Sequence, residues 1–84
     1  MTTQVWILTT ISANPKVIGI FRSFHKAANS VVAENPEGVW EPDKIPKYRL
    51  EEKGLLESWI RYEDESAAKR GFMKTHQLVL MEIQ

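Results

Sequence analysis

"LLESWIRY", residues 55–62, fits two structures, and the choice between them decides the fold. Leu55, Leu56, Trp59 and Ile60 would make one face of a helix. Equally, Leu56, Ile60 and Tyr62 alternate with Trp59 and Arg61, as side chains do along a strand. A comparison within the chain tips the balance. Shifting it by 40 residues lays Ile20 on Ile60 and Ala27-Ala28 on Ala67-Ala68. Each half then runs strand, strand, helix, and 56–62 is read as a strand.

Working outward, "VWILTTI" (5–11) is rich in β-branched residues and is expected to be a strand apolar on both faces at its start. Asn14-Pro15 marks a turn, and "VIGIF" (17–21) completes an antiparallel hairpin, with Gly19 at a bulge or close packing point. Ser23 is a suitable N-cap. Phe24, Ala27, Ala28, Val31 and Val32 then recur at helical spacing, which predicts an amphipathic helix over about 24–34, ended by Asn35-Pro36. Residues 35–47 hold three of the four prolines and are expected to be an irregular loop around Trp40. "YRLEE" (48–52) reads as a strand closed by a Lys53-Gly54 turn. Asp64 caps a second helix with acidic residues first and basic residues last, the order that suits the helix dipole. "QLVLMEI" (77–83) is apolar on both faces, hence a central strand.

The expected architecture is α+β, a single domain over residues 1–84. It has a mostly antiparallel sheet of about five strands with two helices on one face. The order is β-β-α-β-β-α-β, ferredoxin-like once the first strand is left out. Two helices leave part of the sheet uncovered, and packing against another copy or a partner would cover it.

Composition narrows the function. The 84 residues carry eleven basic and eleven acidic side chains. Three of each fall in 1–42 and eight of each in 43–84, so neither half is polarised. A nucleic-acid partner is not expected from that balance. The chain has no cysteine, so disulfides, thiolate catalysis and zinc–sulfur sites are excluded, and a reducing cytoplasm fits. The start of the chain lacks a basic n-region, and its apolar run is short, so no signal peptide or membrane span is expected.

Few residues carry chemistry. Arg22, Ser23, His25 and Lys26 surround the start of the first helix and form a candidate anion subsite. The plainer reading is a solvated strand-to-helix joint with an ordinary serine cap. His25 and His76 stand 51 positions apart, with no spacing that would complete a metal site. Glu63-Asp64-Glu65 reads as a helix cap with dipole-favoured charge. Trp40 either plugs the core or anchors a partner. Trp6 and Trp59 are further interface candidates, more simply core residues. The chain holds no phosphate-loop, nucleophile-elbow or zinc-protease motif, so no cofactor and no enzyme activity are expected.

The preferred expectation is a small non-catalytic protein that binds another protein. It could be an inhibitor or accessory factor of the kind phages and mobile elements encode, and a homodimer. The alternative is a binder of a nucleotide or other small anion at an oligomer interface. A third, weaker reading is an enzyme with His25 or His76 as general base.

Overall fold

Along the last strand, β5 (Lys74–Ile83), His76, Leu78 and Leu80 are buried while Gln77, Val79 and Met81 are half-buried. That two-residue alternation identifies a strand covered heavily on one face and lightly on the other. The computed structural model describes residues 3–83. In it β5 lies at the centre of a five-stranded sheet in the order β2-β1-β5-β4-β3, with every neighbouring pair antiparallel. The other strands are β1 (Thr3–Thr10), β2 (Val17–Phe21), β3 (Val39–Pro42) and β4 (Leu55–Tyr62). Three helices, α1 (Phe24–Asn29), α2 (Lys47–Glu52) and α3 (Glu65–Arg70), complete the α+β fold. None of them is long and apolar enough to cross a membrane.

The heavily covered face holds the core. Trp6 pairs with Leu80 and Leu8 with Leu78 across the β1–β5 ladder. Ala27, Ala28 and Val31 pack against these four. Leu8, Leu78 and Ala27 are wholly excluded from solvent. Removing such side chains from water is the main favourable term in folding a chain of this size.

The strand reading of 55–62 holds, and so do the hairpin and the central place of β5. The register slips between Leu8 and Thr9 opposite Gly19–Val17, so a bulge lies beside Gly19, as expected. Gly54 turns with φ of 74°, a left-handed conformation that suits glycine.

Two segments differ from the sequence reading. Residues 48–52 lie in a helix, α2, and the strand expected there is supplied by Val39–Pro42 inside the proline-rich stretch. Lys, Arg, Leu and Glu favour a helix after Pro46, and Tyr48 at 60% exposure has no inward face to fill. Pro42 is tolerated because β3 is an edge strand and Pro42 closes it. The first helix also ends earlier than expected, at Asn29. The Ser30 hydroxyl donates to the Ala27 carbonyl at 2.7 Å, and β-branched Val31 and Val32 follow. Turns carry the chain on to Glu34 and still bury Val31.

The second face is covered unevenly. Asp43, Ser58 and Gln77 form a short chain on it, Gln77 Nε2 donating to Ser58 Oγ at 3.1 Å and Ser58 Oγ to the Asp43 carboxylate at 3.2 Å. Ile45 and Lys53 line a shallow hollow with Thr9, Ile60 and Gln77. On the β1–β2 side, the cover ends.

Candidate functional site

The basic cluster at 22–26 is used locally. Ser23 caps α1, its Oγ accepting from the Lys26 N–H at 3.1 Å. His25 shares a 3.0 Å hydrogen bond between its Nε2 and Asn29 Nδ2, one helical turn on. Arg22 and Lys26 are exposed. None of these four residues lines the hollow between β3 and α3 or the hollow beside Ile60. A six-residue helix also gives little dipole to hold an anion.

The three tryptophans converge. Phe24 lies 5.1 Å from Trp6, 4.9 Å from Trp59 and 6.3 Å from Trp40, measured between ring centroids. The contacts to Trp6 and Trp40 are edge-to-face, a favoured geometry for aromatic pairs. Trp40 is half-buried with its Nε1 enclosed, so it plugs the side of the core. Trp59 Nε1 donates to Glu57 at 3.1 Å.

Beside this cluster lies a charged group the sequence reading passed over. Arg61 is 1% exposed, the bulkiest fully buried side chain. Its Nη2 donates to the Asn35 carbonyl at 2.7 Å. Its Nε and Nη1 are buried and find no partner among the described residues. Gly38 rests on the guanidinium so closely that an added Cβ would overlap it. His76 sits opposite Arg61 in the β4–β5 ladder, inside the strand rather than ahead of it. Its Nδ1 shares a 2.9 Å hydrogen bond with Thr75 Oγ1, which also lies 3.2 Å from the Arg61 carbonyl. Its Nε2 lies 3.6 Å from the Glu34 carboxylate. Burial lowers the His76 pKa, Glu34 opposes that, and Arg61 adds to it. Burial lowers the Arg61 pKa too, against the pull of Glu34. A guanidinium nevertheless stays charged in proteins. One signal in the sequence pointed here: Arg61 shares its strand phase with Trp59, so one face carries both.

The open side of the sheet is β2. It is an edge strand, paired on one side with β1 and free on the other among the described residues. Val17 is 63% exposed, Ile18 45% and Ile20 64%. Ile60, which aligns with Ile20 under the 40-residue shift, is 4% exposed. The two differ in strand position: Ile60 lies on β4, paired on both sides and bordering a hollow with Ile45 and Lys53, whereas Ile20 lies on the edge strand β2.

No family model, curated protein or solved structure matches this chain. Function therefore rests on the surface itself. An unpaired strand edge offers a row of N–H and C=O groups to any extended chain, and proteins commonly protect such edges with charge or proline. The edge of β2 has neither within Val17–Phe21, only the bulge beside Gly19. At the other edge, β3 carries Glu41 and Pro42.

A second surface feature lies between β3 and α3. Lys44, Lys69, Arg70 and Lys74 border one hollow together with Glu41 and Asp43. Part of that charge is already used, because Lys69 pairs with Glu65 at 3.7 Å and both are exposed.

Proposed function

We propose that this chain is a small cytoplasmic, non-catalytic protein that works by binding another polypeptide, and that β2 is its contact strand. One observation carries the reading. Val17, Ile18 and Ile20 stand exposed on a sheet edge that carries no charge or proline, while the aligned Ile60 is covered. Covering such a strand buries apolar area and completes backbone hydrogen bonds together, which is how β-augmentation gains affinity. An inhibitor or accessory role, of the kind phages and mobile elements encode, is in keeping with this size and surface.

The test is a photo-crosslinking residue placed at Ile20, with the same residue at exposed Tyr48 on α2 as control, in cells that express the protein. The reading requires a discrete adduct from position 20 that is absent from position 48. It also requires that the polypeptide in the adduct no longer co-purifies with Ile20→Lys. No adduct at position 20, or the same pattern at both positions, would reject it.

A second reading, binding of a small anion, draws on the four cations at the β3–α3 hollow. It ranks below the first because Lys69 and Arg70 already complement the C-terminal end of α3, and Glu41 and Asp43 border the same space. Tripolyphosphate tests it: a rise in melting temperature that disappears in Lys44→Ala/Arg70→Ala would favour it.

A further inference from the structure

We infer that the partner docks on β2 as an extended segment, apolar at alternate positions and acidic at both ends. This rests on the reading of β2 as a contact strand and adds the chemistry of what it accepts. The five residues of β2 carry no charge, but the strand is bracketed by Lys16 and Arg22, both exposed. Neither cation forms an ion pair among the described residues. Lys16 is fixed at its end by two contacts: its N–H donates to Thr10 Oγ1 at 2.9 Å, and its carbonyl accepts from the Thr10 N–H at 2.9 Å. An added strand would therefore run past an apolar centre with a cation on an anchored backbone at one end and a second cation at the other.

The same bracketing disfavours a second copy of β2 as occupant. In a two-fold antiparallel pair of β2 strands the Lys16 end of each chain would lie beside the Arg22 end of the other, cation near cation, although the bulge next to Gly19 turns the two side chains to opposite faces. Like charges facing across a strand pair are destabilising, and opposite charges are favourable. Carboxylates at both ends of the partner turn that repulsion into attraction. They also fix register, which a short uncharged strand specifies weakly, and they speed encounter at low salt.

Two synthetic peptides test this on the full chain. Both alternate Val and Thr, one with a pair of Glu at each end and the other with a pair of Lys. Binding is followed by NMR shifts of the β2 amides. The Glu-flanked peptide should bind about tenfold tighter, which corresponds to a difference of roughly 0.7 kcal/mol at each end between an attractive and a repulsive pair. In Lys16→Glu/Arg22→Glu the preference should reverse. Equal binding of the two peptides, or shifts centred away from β2, would overturn the inference. Self-association of the parent chain through β2, seen as concentration-dependent shifts of the same amides, would overturn it as well, since a second copy would then be the occupant. In all these cases the adduct at position 20 decides separately whether β2 is a contact strand.

Discussion

Ile20 lies opposite Ile7 in the β1–β2 ladder, yet Ile7 is half-buried and Ile20 is 64% exposed. The two side chains share a face, so the cover over this side of the sheet stops between them. That boundary separates what the fold needs from what is left for a partner.

Ile20→Lys should therefore leave the fold intact. Replacement of an exposed residue outside any special backbone or cap position changes stability by about 0.5 kcal/mol or less. Urea denaturation should give matching curves for the variant and the parent, while the polypeptide recovered through β2 is lost. A large loss of stability would mean that Ile20 is covered within the folded chain.

Trp40 behaves oppositely. Its ring sits edge-on to Phe24 at 6.3 Å. Trp40→Ala should cost about 3 kcal/mol, in the range for a large aromatic removed from a core. It should also shift the near-ultraviolet circular dichroism of the aromatic cluster. Unchanged stability would return Trp40 to the list of partner anchors.

Gly38 and Arg61 form a lock at the other end of that face. Gly38→Ala should destabilise by about 2 kcal/mol, because the new methyl overlaps a buried guanidinium and the turn must shift. Arg61→Met should be neutral or stabilising, since it removes a buried charge that is only partly hydrogen-bonded. A strongly destabilised Arg61→Met would show instead that the guanidinium is well satisfied in the folded protein.

His76 gives the fold a pH dependence of definite sign. Its folded-state pKa is lowered, chiefly by burial. As pH falls below about 6.5, the unfolded chain takes up the proton while the folded chain still resists. Stability should thus fall with pH from that value down to the lowered folded-state pKa, and be unaffected by this group above it. Chemical denaturation of the parent and of His76→Gln across that range should give a flatter profile for the variant. Equal slopes would remove His76 as the source.

Much of this architecture was legible in the sequence because its signals are local. The β-branched runs at 5–11 and 17–21, the caps at Ser23 and Asp64, and the two-sided apolar run at 77–83 each declare themselves within a few residues. The swap between 39–42 and 48–52 was hidden, because Val39–Pro42 is short and carries a proline, so only its pairing with β4 makes it a strand. Tyr48 and Leu50 imitated a strand alternation that six residues cannot separate from a helix. Candidate site residues fared according to what their neighbours required. Ser23 and His25 bond locally, and the tryptophans meet at Phe24, contacts that no spacing reveals. The exposed edge of β2 was invisible for a related reason: a strand's place at the side of a sheet is a property of the whole topology.

The most direct test is amide hydrogen exchange along β2, in the chain alone and in the complex recovered from cells. The outward N–H groups of Val17–Phe21 should exchange quickly in the free protein and gain protection in the complex, with the edge of β3 unchanged. Protection confined to β3, to the β3–α3 hollow, or gained nowhere would contradict the assignment of β2 as the docking strand.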